Sequence, residues 1–206
     1  MTIRYHKNDL PDLSAYEAAE AVAVDTETLG LNPHRDRLCV VQLSSGDGTA
    51  DVVQIERGQT EAPNLARLLT DPNRHKIFHF ARFDVAVLKH YLNIDVNPVW
   101  CTKIASKLVR TYTDRHGLKE LARELVGVDL SKQQQSSDWA AETLSDAQLA
   151  YAASDVLHLH KLKAVLEAML VREGRLHMAQ ACFQFLPMRS ELDLKGWDEN
   201  DIFAHS

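Results

Sequence analysis

The sequence has few cysteines, no long apolar run and no excess of positive charge. Its three cysteines, Cys39, Cys101 and Cys182, lie far apart and form no C-x-x-C pair, which favours buried reduced thiols over zinc ligands. No stretch approaches the ~18 apolar residues that a membrane span needs, and the start MTIRYHKNDLPDL lacks the apolar segment of a secretory signal. These absences predict a cytoplasmic protein with no membrane partner.

The charge balance and the composition limit the partners and the number of domains. The formal net charge of -6 argues against a broad basic face for a long duplex, so any contact with nucleic acid should be local and short. The chain has 206 residues, of which 45% are apolar, and it lacks a linker rich in proline, glycine or serine. We therefore expect a single domain over residues 1–206.

The order of the apolar segments predicts an α/β fold. Three β-branched runs come first, at residues 22–24, 38–44 and 51–55, and their spacing predicts successive hairpin-linked strands. Helices then alternate with short strands, and the spacing is helical from Thr102 almost to the end, including one long helix over residues 146–173 with Ser145 as its N-cap. A mixed sheet flanked by helices follows from this order. The apolar tail, about residues 174–206, is expected to begin as a helix and to pack as a C-terminal extension.

An acidic pair follows the first of these strands. Asp25 and Glu27 are two residues apart, so the alternation of a strand places both carboxylates on one face. Taken alone, such a pair is more often part of a turn before Gly30. Asp84 continues the apolar stripe of its helix four residues before Leu88, where it needs a cation, a capping role or solvent at the edge of a cleft.

The long helix carries a second pair of polar residues on its apolar stripe. Tyr151 and Asp155 are four residues apart and continue the stripe of Leu159, Leu162 and Leu166, so they share a face. A lone tyrosine there is more often a packing residue and a lone aspartate more often solvated, but their joint placement favours a site. Together with the three earlier carboxylates, Asp155 makes a set of hard oxygen donors that suits two Mg²⁺ or Mn²⁺ ions. Tyr151, with an ordinary pKa of about 10, would orient a water molecule rather than deprotonate it.

Three motifs in this order resemble the exonuclease motifs of the DEDD superfamily, Tyr subclass: DTET, then HFARFD, then YAASD at Tyr151–Asp155. The stretches GLKELARELVGVDLSK and QSSDW are also similar to RNase D, so the resemblance covers about residues 20–170. It implies a ribonuclease H-like fold with a mixed five-stranded sheet, and 3′ to 5′ hydrolysis that releases 5′-mononucleotides. It further implies that Tyr151 orients the water, that Leu31 wedges against the terminal bases, and that the metal ligands are Asp25, Glu27, Asp84 and Asp155.

The chain departs from RNase D proper, which continues into helical domains that bind nucleic acid, whereas this sequence stops at Ser206. A compact Tyr-type enzyme of this length resembles the nanoRNase C group, which is oligomeric and cleaves diribonucleotides. The resemblance therefore implies a homo-oligomer that acts on dinucleotides and very short single-stranded RNA. Two alternatives stay open, namely an RNase D-like enzyme that processes the 3′ ends of tRNA and other longer RNA, and a catalytically silent nucleic-acid-binding module. DNA as a substrate also stays open.

Basic residues and one histidine near the motifs are candidates for substrate binding. Lys103, Lys107 and Arg110 recur at helical spacing, and Lys132 lies in the loop before a run of glutamines. They could hold a 5′-phosphate, although a solvated basic face explains any one of them equally well. His79, close to the proposed metal ligands, is predicted to contact the sugar or the scissile phosphate, with a core histidine as the alternative.

Overall fold

The protein forms a mixed sheet with helices packed against it, as seen in a computed structural model that describes residues 2–205. The strands are β1 (Thr2–Lys7), β2 (Ala21–Thr28), β3 (Leu38–Ser44), β4 (Thr49–Gln54), β5 (His75–Phe78) and β6 (Val99–Cys101). Their order in the sheet is β1-β4-β3-β2-β5-β6. The pairs β2–β3 and β3–β4 are antiparallel, as the predicted hairpins require, and the other three pairs are parallel. The predicted α/β class is confirmed, but the sheet has six strands rather than five.

Strand β1 was not predicted from the sequence. It pairs in parallel with β4, from Thr2 opposite Thr49 to Lys7 opposite Gln54, and it lies at the edge of the sheet. None of its described side chains is fully buried. The segment TIRYHK has only two apolar residues, Ile3 and Tyr5, in alternate positions, which is too short a pattern to predict a strand by itself.

A buried carboxylate fastens this edge strand to the sheet. The side chain of Asp51 in β4 accepts hydrogen bonds from Nε and Nη2 of Arg4, each at 2.7 Å, and from the hydroxyl of Tyr16 at 2.6 Å. Nε2 of His6 lies 2.8 Å from the same carboxylate. Burial opposes the charge of Asp51, but these hydrogen bonds outweigh it and hold the pKa of the carboxyl below its ordinary value.

Asp51→Ala should lower the free energy of unfolding at pH 7 by about 2–4 kcal/mol, because it leaves the guanidinium of Arg4 and the hydroxyl of Tyr16 without their shared partner. A lowered pKa stabilises the fold above the pKa of the unfolded carboxyl, about 4, so the difference between variant and wild type should shrink as the pH falls below that value. Urea unfolding at several pH values measures this. Asp95→Ala is the matched control, since Asp95 is 77% exposed and pairs with Lys89 at the surface. Equal losses for the two variants would contradict the role of Asp51.

The helices are α1 (Pro63–Thr70), α2 (Ala81–Leu92), α3 (Thr102–Val109), α4 (Leu118–Leu121), α5 (Asp146–Val156), α6 (Leu159–Arg172) and α7 (Leu176–Leu192). Ser145 caps α5 as predicted, in a reciprocal capping box with Gln148. The single helix predicted over residues 146–173 is wrong, because the chain turns between Val156 and Leu159. The turn lets α5 pack on β1 to β4 while α6 packs on β2, β5 and α3.

The C-terminal segment forms a packed helix, as predicted for its start. Helix α7 lies against α2 and β6, where the ring of Phe183 is centred 5.0 Å from that of Trp100. Beyond α7, the buried carboxylate of Asp193 accepts hydrogen bonds from Arg82 in α2 and from Arg189 in α7. These ion pairs hold the extension against the helix that carries Asp84.

Two of the three cysteines are buried, as predicted. Cys39 in β3 and Cys101 in β6 are inaccessible, but Cys182 is exposed because it lies on the outer side of α7. No helix within residues 2–205 is long and apolar enough to cross a lipid bilayer.

Candidate active site

Two carboxylates project from β2, which lies between β3 and β5 in the sheet. Asp25 stands opposite Gln42 in the β2–β3 ladder, and Nε2 of Gln42 donates a hydrogen bond to Oδ2 of Asp25 at 2.8 Å. Gln42 is completely buried, and sequence reasoning missed it. The available signal was a lone amide inside the otherwise apolar segment LCVVQLS, because a buried polar side chain needs a partner.

Helices α5 and α2 bring the remaining predicted carboxylates to the same place. Asp25, Glu27 and Asp155 each offer a ligand atom, and these atoms all lie within 4.8 Å of one another. Asp84 lines the same cavity but lies outside this close group. Its Oδ1 accepts a hydrogen bond at 2.7 Å from the hydroxyl of Thr26, the residue between the two acids of β2. The structure therefore brings all four predicted carboxylates into one cavity.

All four carboxyls have pKa values above the ordinary range, and burial is the main cause for each. The pKa of Asp25 is raised to about 7, and that of Asp155 to about 8 with the charge of Asp25 adding to the effect. The pKa of Glu27 is raised to about 10 by burial and by the charges of the other three acids. Burial and the charge of Asp25 likewise raise the pKa of Asp84. A cluster of like charges that resists ionisation is one that a cation would stabilise.

The donor set fits a divalent metal ion. Every donor is a carboxylate oxygen, the ligand type preferred by Mg²⁺ and Mn²⁺, and the described cluster contains no sulfur or imidazole donor. Among the described residues 2–205, no lysine or arginine donates a side-chain hydrogen bond to these carboxylates to compensate their negative charge. An ion bound between them would supply that compensation.

Above the carboxylates lies an open cavity of about 670 Å³, a size suited to a small ligand. Leu31 lines it and is 84% exposed, at the tip of the loop that follows β2. Asp36 orders this loop by accepting a hydrogen bond from the backbone of Asn32 at 2.9 Å. A Cβ atom on Gly30 would lie 2.3 Å from Oδ2 of Asp36, so the loop needs glycine at that position. The predicted wedge residue is therefore presented to the cavity on a supported loop.

Phe80 is another exposed apolar residue of the cavity, and its backbone conformation could not be predicted from the sequence. It precedes α2 with a φ of 66°, a left-handed conformation that is unusual for a bulky side chain. Phe80 is 46% exposed, and Nζ of Lys103 lies 4.5 Å from the centroid of its ring. Backbone strain of this kind is concentrated at functional sites, where it fixes the direction of a side chain.

Tyr151 reaches the cavity from the same helix as Asp155. Its ring packs at 5.9 Å, centroid to centroid, on the buried ring of Trp139, which also lines the cavity. Burial, and then the charges of Asp155, Glu27 and Asp25, raise the pKa of the Tyr151 phenol above its ordinary value. Trp139 belongs to the QSSDW segment, so its position supports a structural role for that segment in holding Tyr151.

The structure separates the predicted basic residues. Lys132 lines the cavity, as does Lys119, which sequence reasoning missed. Neither Lys103, whose Nζ lies 4.5 Å from the centroid of the Phe80 ring, nor Lys107, which is exposed on α3, lines the cavity. Arg110 is fully buried, donates to the carbonyl of Arg115 at 2.6 Å and pairs with Glu124, so it cannot hold a phosphate in the cavity. The substrate-binding roles of the other basic residues stay predictions.

Comparisons with known proteins agree with this geometry. Residues 8–171 match the family model described as 3′-5′ exonuclease. Ribonuclease D of Gluconacetobacter diazotrophicus is 37% identical over 155 residues, which are 75% of this chain and 39% of that protein, so the chain spans well under half of this relative's length. Among solved structures, Brucella melitensis NrnC with bound Mg²⁺ is 69% identical, covers 100% of both chains and superposes with a TM-score of 0.97.

The same Brucella melitensis protein bound to pGG is 70% identical over 100% of both chains, again with a TM-score of 0.97. The matched region contains all three acidic motifs, and the four carboxylates and Tyr151 meet in one cavity. The chain therefore belongs to the 3′–5′ exonuclease family, and within it to the RNase D-like group of the Tyr subclass that includes NrnC.

Proposed function

We propose that the protein is a metal-dependent 3′–5′ exoribonuclease that hydrolyses diribonucleotides and very short oligoribonucleotides to 5′-mononucleotides. The observation that carries the proposal is the group of three carboxylates with ligand atoms within 4.8 Å of one another, beneath a cavity of about 670 Å³. The choice of a short substrate is supported by the size of this cavity and by the complex of Brucella melitensis NrnC with pGG.

Two divalent ions, Mg²⁺ or Mn²⁺, would be held by Asp25, Glu27, Asp84 and Asp155. When bound, such ions favour ionisation of the attacking water and offset the charge that develops on the scissile phosphate. The chain prepares two of these carboxylates for that role. Gln42 fixes the orientation of Asp25, and Thr26 fixes that of Asp84. Both supporting side chains are buried, so the ligands are held before any ion arrives.

The remaining residues of the cavity have separate tasks in this proposal. The hydroxyl of Tyr151 orients the attacking water, and the exposed apolar side chains of Leu31 and Phe80 contact the bases. Lys119 and Lys132 are the lysines that line the cavity in the described part of the chain, and they hold the 5′-phosphate. In this proposal the scissile phosphate lies at the carboxylates and the 5′-phosphate lies at the lysines.

A 5′-phosphorylated diribonucleotide should be cleaved with a kcat/KM more than about tenfold above that of a heptamer, about 1.4 kcal/mol in transition-state binding. The cavity is small, and a net charge of -6 gives little long-range attraction for a longer polyanion. If the lysines cap the 5′-phosphate, a dimer fills the site and a longer chain must pass the cap. The measurement is kcat/KM for a dimer, a trimer and a heptamer under one salt condition.

A matched pair of lysine variants tests the capping step. Lys132→Met should reduce the advantage of the 5′-phosphorylated dimer over its unphosphorylated form, whereas Lys107→Met should not, because Lys107 lies outside the cavity. A kcat/KM that is equal for all three lengths, or that rises with length, would contradict the dinucleotide proposal and favour a general exoribonuclease.

We also propose that the protein is a homo-oligomer that uses the outer side of α7. Met178, Phe185 and Met188 follow one side of this helix at positions i, i+7 and i+10, and Cys182 is exposed one turn after Met178. The ring of the exposed Phe203 lies 5.7 Å from that of Phe185, centroid to centroid. A contiguous apolar stripe of this kind marks an interaction surface. The occupant we assign to it is a second copy of the chain, because identical uncharged stripes can pack on each other about a two-fold axis.

Light scattering at micromolar concentration should therefore give a mass that is a multiple of 23.2 kDa. Met188→Glu should shift the population towards the monomer, since it places a charge in the contact. Val171→Glu is the matched control, an equally drastic change at an exposed apolar residue of α6 rather than α7. A wild-type protein that is monomeric at this concentration would refute the proposal.

A further inference from the structure

His79 connects the cavity with a buried hydroxyl behind it. The residue lines the cavity, and its Nδ1 lies 2.9 Å from Oγ1 of Thr102, the first residue of α3. Thr102 is completely buried, and its Oγ1 lies 3.2 Å from the carbonyl oxygen of Phe78 in β5. The geometry of these three groups determines which nitrogen of His79 carries a proton.

A threonine hydroxyl has one hydrogen to donate, and a carbonyl oxygen can only accept. If Thr102 donated to His79, its lone pairs would face the carbonyl oxygen of Phe78 in a buried space, which is unfavourable. Thr102 therefore donates to Phe78 and accepts a hydrogen bond from Nδ1–H of His79. The buried pair thus selects the imidazole tautomer that is protonated on Nδ1.

The imidazole is also neutral. Burial, and then the charge of Lys103, lower the pKa of His79 to about 3, so the ring carries a single proton at neutral pH. Since that proton is on Nδ1, the opposite nitrogen, Nε2, has a free lone pair. Nε2 has no hydrogen-bond partner among residues 2–205. It remains accessible to solvent, because it is absent from the buried polar atoms that lack a partner, and it can therefore be reached from the cavity that His79 lines.

A neutral acceptor that lines the same cavity as the carboxylates is selective for hydrogen-bond donors. The non-bridging oxygens of a phosphodiester are acceptors and cannot satisfy Nε2, whereas the hydroxyl groups of a ribose are donors. We propose that Nε2 of His79 accepts a hydrogen bond from a ribose hydroxyl of the 3′-terminal nucleotide, and that Thr102 is the positioning residue that fixes the tautomer. The inference rests on the proposed function for the presence of a nucleotide in the cavity.

The kinetic test compares a 5′-phosphorylated diribonucleotide with analogues that lack the 2′-hydroxyl or the 3′-hydroxyl of the 3′ residue. The wild type should lose about five- to tenfold in kcat/KM with the analogue that lacks the recognised hydroxyl. His79→Phe keeps a planar ring without a nitrogen acceptor, so this penalty should disappear. Thr102→Val should reduce the penalty, and Thr102→Ser, which keeps the hydroxyl, should restore it. The inference is overturned if neither analogue is penalised, or if His79→Phe leaves the penalty unchanged.

Nitrogen-15 NMR of the histidine side chains tests the same inference without turnover. In metal-free protein, His79 should show the tautomer protonated on Nδ1, with Thr102→Ser resembling the wild type and Thr102→Val differing from it. Addition of the diribonucleotide in EDTA should perturb Nε2 more than addition of the analogue without the recognised hydroxyl. A ring protonated on Nε2 would overturn the inference even if the enzyme cleaves dinucleotides. A protein that cleaves no dinucleotide but shows the expected tautomer and perturbation would contradict the proposed function alone.

Discussion

Asp155→Ala is expected to lower kcat for a diribonucleotide by roughly a thousandfold or more, which corresponds to about 4 kcal/mol of transition-state stabilisation. Asp155 offers one of the three ligand atoms that lie within 4.8 Å of one another. The other two acids of this group are on β2, so neither can take the position of Asp155 on α5. With one carboxylate missing, the site is expected to hold its ions too weakly and in the wrong arrangement. Activity should therefore not recover at high Mg²⁺ concentration.

The same substitution should not destabilise the metal-free protein. The carboxyl of Asp155 is disfavoured by burial and by the charge of Asp25, so removing it relieves an unfavourable interaction. Mg²⁺ should raise the thermal unfolding temperature of the wild type, because an ion that binds the folded state stabilises it, and this increase should be lost in the variant. Calorimetry with and without Mg²⁺ thus separates loss of the ion from loss of the fold.

Asp146→Ala is the matched control, because Asp146 is the other acid of α5 and is exposed in its first turn. It should keep both the activity and the stabilisation by Mg²⁺, at a small cost to the helix. An Asp155→Ala variant with full activity, or wild-type turnover that continues in EDTA, would contradict the assignment of the metal site.

The carboxylates could be located from the sequence because their local spacing and the resemblance to the DEDD motifs indicate the same residues. Asp25 and Glu27 share a face through the period of a strand, and Tyr151 and Asp155 share one through the period of a helix. These periods depend only on the local strand or helix, so residue spacing predicts which side chains share a face before the tertiary structure is known. The acidic residues of distant segments then meet because β2 and α5 are neighbours in the fold.

Arg110 shows where periodicity stops being informative. Its spacing with Lys103 and Lys107 indicated a common basic face, but the side chain is buried by its pair with Glu124 and its hydrogen bond to the carbonyl of Arg115. The spacing of residues within one helix cannot show that a partner from another segment will cover one of them. Gln42 was missed for the same reason, since its role depends on the register between β2 and β3.

The turn between α5 and α6 and the left-handed backbone of Phe80 also depend on tertiary packing. No proline or glycine marks the turn at Leu157 and His158, and the apolar stripe continues through it. The helix breaks because α5 packs on β1 to β4 whereas α6 packs on β5 and α3, and β2 is the strand that contacts both helices. At Phe80, nothing in the segment FHFARFD signals a positive φ.

Tyr151→Phe is expected to lower kcat by roughly a hundredfold while changing KM by no more than about threefold. The variant keeps the ring that packs on Trp139 and removes only the hydroxyl. Because burial and the neighbouring acids raise the pKa of the phenol, the hydroxyl stays protonated at neutral pH and acts on the water as a hydrogen-bonding group rather than as a base. Its contribution is then made in the transition state, where the orientation of the water matters most. The measurement is kcat and KM for a diribonucleotide at saturating Mg²⁺.

Tyr112→Phe serves as the control, since Tyr112 is 72% exposed, contacts Arg110 and does not line the cavity. It should leave both kinetic constants unchanged. If Tyr151→Phe raised KM and left kcat unaltered, the hydroxyl would be acting on the bound substrate in its ground state. If it changed neither constant, the ring of Tyr151 would be a packing partner of Trp139 and nothing more. In either case the attacking water would have to be oriented by the carboxylates alone. The larger loss of kcat expected for Asp155→Ala would then include the loss of that orientation.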